Sequence, residues 1–82
     1  MKNYKSIFKV LNSEYMSCSI NGNPKKRLIL ENDAGDVFTA TTGTDCLCGY
    51  MSYYKGDKFM FTYHYTPKTG NMVITYAGDI KQ

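Results

Sequence analysis

The chain has no tryptophan, one histidine, two prolines and three cysteines in 82 residues. Each scarcity excludes something. A catalytic nucleophile needs a base within reach and a group to orient that base. The one histidine, His64, stands in a run of aromatics, and no sequence feature pairs it with Cys18, Cys46 or Cys48. Asp33, Asp36, Asp45, Asp57 and Asp79 all fall at turn-like or terminal positions, where aspartate serves the backbone. No catalytic motif is present, and the expectation is a non-enzymatic protein without a cofactor. Zinc sites pair their ligands two to four residues apart. Cys46 and Cys48 are only one residue apart, and Cys18 and His64 alone remain to complete a set of four. The plainer reading makes Cys18 and at least one of Cys46 and Cys48 small buried hydrophobes.

Long apolar runs are also missing. No stretch approaches the ~20 residues of a membrane span, and the start, MKNYKSIFKV, lacks the apolar core of a signal peptide. An odd cysteine count without such a leader argues against a secreted disulfide scaffold. A reducing cytoplasm is the expected compartment. The net charge of +3 permits binding to nucleic acid or to an acidic protein but does not demand it.

What the chain does have is aromatic residues, 15% of the total, eight of them tyrosine. Tyrosine suits half-buried strands and contact surfaces, offering a ring and a polar tip. Residues 1–82 are expected to form a single domain, of a size that buries about 60% of its unfolded surface.

The central stretch runs from Lys25 to Thr42. Leu28 and Leu30 alternate with Arg27, Ile29 and Glu31; Asn32–Asp36 is a tight turn; Val37–Thr42 has strand composition. Its predicted core is Leu28, Leu30, Phe38 and Ala40, with Arg27, Ile29, Thr39 and Thr41 on the other face. Before it, residues 4–11 and 14–20 read as two strands, or one bent strand interrupted at Asn12-Ser13. Met16, Cys18 and Ile20 share a face there. Asn21-Gly22-Asn23-Pro24 is a turn. After it, Leu47, Met51 and Tyr54 sit at helical spacing, predicting a short helix or helical turn over 45–54, capped by Thr44 or Asp45. Residues 58–66 alternate Phe59, Phe61, Tyr63 and Tyr65 with Lys58, Met60, Thr62 and His64, a strand whose two phenylalanines belong in the core. Pro67–Asn71 turns it back into 72–77, where Met72, Ile74 and Tyr76 share a face.

The fold class implied is mainly β: a small five- to six-stranded antiparallel barrel with one short helix. The element order, with the Arg27–Leu30 strand, the Asn32–Asp36 turn, the Val37-Phe38 return and the Lys55-Gly56-Asp57-Lys58-Phe59 lead-in to a fourth strand, resembles the OB-fold nucleic-acid-binding domains. An SH3-like barrel is the alternative. The resemblance implies a binding face over the second and third strands, flanked by the loops Asn21–Lys26 and Thr66–Asn71. Single-strand binders combine a cationic groove with stacking rings. The residues so implicated are Tyr15, Lys25, Lys26, Arg27, His64, Tyr65 and Lys68, and the partner single-stranded DNA or RNA. A second reading is a small protein-binding inhibitor or adaptor, of the kind encoded by phages and mobile elements, or a homodimer. Tyr50, Tyr53, Tyr54, Tyr63, Tyr65 and Tyr76 are too many for so small a core, because buried hydroxyls need partners.

Overall fold

The computed structural model describes residues 3–18, 23–43 and 46–80. Five strands carry it: β1 (Asn3–Cys18), β2 (Pro24–Glu31), β3 (Val37–Thr42), β4 (Lys58–Thr66) and β5 (Asn71–Gly78), with a 3-10 turn at Leu47–Tyr50. They close into a barrel in the order β1-β2-β3-β5-β4, with β4 returning to β1. Four ladders are antiparallel. The fifth, between β3 and β5, is parallel and short, pairing Thr41 with Val73 and Thr42 with Ile74. The barrel is therefore mixed rather than wholly antiparallel. Closure gives each of the five strands a neighbour on both sides, over only two residues between β3 and β5.

The two β runs before the central hairpin are one strand, and β-bulges let it serve two neighbours. Its first half pairs with β4, Asn3 to Lys9 against His64 to Lys58. Its second half pairs with β2. Val10 faces Leu30 and Asn12 faces Ile29, so Leu11 is an extra residue; Met16 is a second, between Tyr15 and Ser17. Each bulge bends the strand and shifts its alternation. Met16 is accordingly exposed. Ile20, Asn21, Gly22, Thr44, Asp45 and the Cys18 side chain lie outside the described residues, and with them the predicted Asn-Gly turn and helix cap.

The β2–β3 hairpin follows its sequence. Asn32 Oδ1 accepts from the backbone N–H of Ala34 at 3.0 Å and of Asp36 at 2.9 Å, and Gly35 takes φ +88°. An asparagine that caps its own turn, followed by a residue free to adopt left-handed backbone, fixes the register. Leu28 then faces Ala40 and Leu30 faces Phe38. Leu28, Leu30 and Ala40 are buried; Phe38 is half-buried and packs on the cluster. Val10, Phe8, Phe61, Met72 and Ile74 complete the middle of the core. Burying a side chain such as Phe61 contributes about 1.5–3 kcal/mol.

Two further expectations change. Leu47 and Tyr54 are not on a buried helix face, since both are largely exposed. The segment makes one 3-10 turn, with Cys48 and Gly49 as its buried side. Glycine at the middle of the run and the close approach of β2 leave no room for a longer helix. Tyr76 does not join Met72 and Ile74 either. Thr62 pairs with Tyr76 but Tyr63 with Ile74, so Thr75 is a bulge residue, and its hydroxyl donates to the Thr62 carbonyl at 3.2 Å. The bulge turns Tyr76 outward and brings Ala77 against the core.

The 3-10 turn plugs the barrel near the start of β2. The Tyr53 hydroxyl donates to the Cys48 carbonyl at 2.8 Å, and its ring meets Phe59 and Phe61 with centroids 5.5 and 6.2 Å apart. Thr42, the one buried polar residue among those described, accepts the Lys26 backbone N–H at 2.9 Å and donates to the Pro24 carbonyl at 3.5 Å.

Candidate nucleic-acid interface

Cross-strand register defines the outer face. Glu14 lies opposite Arg27, Arg27 opposite Thr41, Thr41 opposite Val73, and Val73 opposite His64. This row crosses all five strands. Lys25 stands two residues from Arg27 on β2 and therefore on the same side. Lys25, Thr41, Val73, Thr75 and His64 line one cavity of about 330 Å³, together with Gly43 and Cys46. So the structure brings Lys25 and His64 together and sets Arg27 one register step away.

The remaining candidates are distributed differently. Lys26 points to the other side of β2. Its ammonium donates to the Met51 carbonyl and lies 5.8 Å from the centre of the Tyr53 ring. It ties the plug to the barrel. Tyr65 is likewise on the opposite side of β4 from His64. With Tyr4, Phe38, Tyr63, Pro67 and Met72 it lines an apolar mouth of about 290 Å³. The Tyr4 and Tyr63 rings stack there, 5.6 Å apart and 20° from parallel. Lys68 is exposed in the β4–β5 turn, and Tyr15 is exposed on β1 opposite Lys26.

The electrostatics of the face are mild. Arg27 is 3.6 Å from Glu14 in a solvent-exposed ion pair, as is Lys9 from Glu31. Such pairs contribute little to stability, but Glu14 offsets part of the charge Arg27 presents. His64 Nδ1 is buried with no hydrogen-bond partner among the described residues. Among those residues no group of three or more histidine, cysteine or acidic side chains is placed to hold a metal ion. None of the helical structure described is long and apolar enough to cross a membrane.

Sequence reasoning missed Cys46 and Thr75 as neighbours of His64, and Tyr4 and Phe38 as partners of Tyr65. The signal for Tyr4 is its pairing with Tyr63, which appears only once β1 is known to run beside β4.

Comparison with family models, with curated proteins and with solved structures gave no match to this chain.

Proposed function

We propose that this barrel is of the OB type and binds single-stranded nucleic acid across the outer face of β2 and β3. The strand order β1-β2-β3-β5-β4 supports that assignment. The observation that carries the function is the convergence of Lys25 from β2 and His64 from β4 on one open cavity beside Arg27. Lys25 and Arg27 supply phosphate contacts, Lys68 extends the charge along the β4–β5 turn, and Ile29 with the threonines offers a flat surface to bases. The aromatic mouth at Tyr4, Tyr63 and Tyr65 offers stacking rings on the opposite side of β4 from His64. Tyr15 stands exposed on β1 beside Lys26.

Fluorescence anisotropy with a labelled oligonucleotide, across a salt series, tests this. Three phosphate contacts on a single strand give a slope of log K against log salt of about −2. Replacing Lys25, Arg27 and Lys68 together by alanine flattens it. Lys26→Ala, whose ammonium is held by Met51, leaves the slope in place. No binding at low salt would remove the reading.

A second reading rests on a different surface. Leu47, Tyr50, Tyr54 and Tyr76 are all more than 60% exposed. Leu47 and Tyr76 border one groove beside Met51. Rings of this kind are favoured at protein contacts, and they suit a protein partner or a second copy of the chain. Sedimentation velocity and capture from the native host separate this reading from the first.

A further inference from the structure

The cysteines of the plug are joined. Cys46 and Cys48 form a disulfide across Leu47, with Cα atoms 5.0 Å apart, inside the range that a bridge requires. A bridge that encloses one residue constrains the unfolded chain very little, because the gain grows with loop length. Its presence is not explained as a staple.

Its surroundings serve the reduced pair as well. The Cys48 N–H points at the Cys46 sulfur at 3.1 Å, and Cys46 caps the 3-10 turn. A backbone donor at that position favours a thiolate. Cys46 also lines the cavity that holds Lys25 and His64, so the Lys25 ammonium shares its outlet. Cys48 lies deeper. Its sulfur is 3.8 Å from the Ile74 carbonyl oxygen, an acceptor that only the thiol form can use. Each sulfur thus has a polar partner, one within the plug and one on β5.

We propose that Cys46-Leu47-Cys48 is a thiol–disulfide exchange site, reached through the Lys25–His64 cavity, with external thiols as its redox partners. A thiolate attacks the Cys46 sulfur, the bond to Cys48 breaks, and Cys48 leaves as a thiolate, takes a proton and donates to the Ile74 carbonyl. A mixed disulfide now joins Cys46 to the incoming thiol. A second thiolate attacks the external sulfur of that bond, releasing Cys46 as a thiolate and an external disulfide. Two electrons pass from the external thiols to the protein, and the reverse sequence oxidises Cys46 and Cys48 again.

The test uses the full chain carrying Cys18→Ser, so that only the pair is counted. The folded protein is equilibrated with reduced and oxidised glutathione at a series of ratios, trapped with a maleimide and weighed by mass spectrometry. Two maleimides at the reducing end and none at the oxidising end are expected, with a midpoint between. With Cys48→Ser added, Cys46 accumulates a glutathione adduct; with Cys46→Ser instead, Cys48 forms one more slowly, on the order of 10-fold. Two maleimides at every ratio, or none until the protein is denatured, would overturn the proposal. So would equal adduct rates in two folded single-cysteine variants. If a variant fails to fold by circular dichroism, the parent titration still decides.

Discussion

Gly49→Ala puts a methyl group against the start of β2. A Cβ at this position overlaps the Pro24 carbonyl oxygen and lies 2.9 Å from its carbonyl carbon. These are backbone atoms of a strand paired to β1, so no side chain can swing aside. The 3-10 turn has to lift. Overpacking of this kind costs about 1–3 kcal/mol. Lifting also stretches the bond from Tyr53 to the Cys48 carbonyl and that from Lys26 to the Met51 carbonyl, each worth about 1 kcal/mol. A total of roughly 2–4 kcal/mol corresponds, in a domain this small, to a fall in melting midpoint on the order of 10–30 °C. Thermal unfolding followed by circular dichroism measures it. Gly35 is the control, because it has φ +88° and nothing within 4 Å of an added Cβ. Alanine there costs about 1–2 kcal/mol for left-handed backbone, and asparagine recovers part of the loss. At position 49 the order reverses, since asparagine is larger. A Gly49→Ala midpoint within about 3 °C of wild type, or asparagine outperforming alanine there, would show that the turn is not wedged against β2.

Two further substitutions act on the same end of the barrel. Thr42→Val keeps the shape but leaves the Lys26 backbone N–H without its acceptor, and urea unfolding should show a loss of about 1–3 kcal/mol. Burial pushes the Tyr53 phenol up from its ordinary 10.0 to about 12. The folded state then holds this proton more tightly than the unfolded chain does, so the contribution is fully present below pH 10 and is lost as pH rises through 12. Stability measured across that window should fall by roughly 2–3 kcal/mol. Tyr53→Phe, about 1 kcal/mol weaker at neutral pH for its lost hydrogen bond, should lack this alkaline decline.

Much of the barrel was legible because strand periodicity and turn chemistry are local. The Asn32–Asp36 turn and the alternation of Leu28 and Leu30 set β2 and β3 in register without outside help. The bulges were not legible. Nothing in the residues around Thr75 distinguishes an extra residue from an ordinary one; its hydroxyl matters only once the Thr62 carbonyl is beside it. Simple alternation therefore puts Tyr76 with Met72 and Ile74, whereas the bulge turns it outward. The segment 45–54 failed for a related reason. Its i, i+4, i+7 spacing of Leu47, Met51 and Tyr54 is helical, but the contact that decides its conformation is Gly49 against Pro24, about which periodicity is silent.

In the candidate site the strand period is itself the informative signal. Lys25, Lys26 and Arg27 read as one cationic cluster, yet successive side chains of a strand point to opposite faces. Lys25 and Arg27 go outward; Lys26 goes to the plug. His64 and Tyr65 part in the same way, one to the cavity beside Lys25 and one to the aromatic mouth. Parity separates Lys25, Arg27 and His64, on the outer face, from Lys26 and Tyr65, which face the other way. It also makes Lys26 the informative residue of the basic triplet. If Lys26→Ala weakens the fold and leaves the salt dependence of oligonucleotide binding unchanged, while Lys25→Ala does the opposite, the outer face of β2 carries the charge that phosphate meets. If both lysines change the salt slope alike, the contact with Met51 yields to nucleic acid, and the interface reaches around the start of β2 to the plug itself.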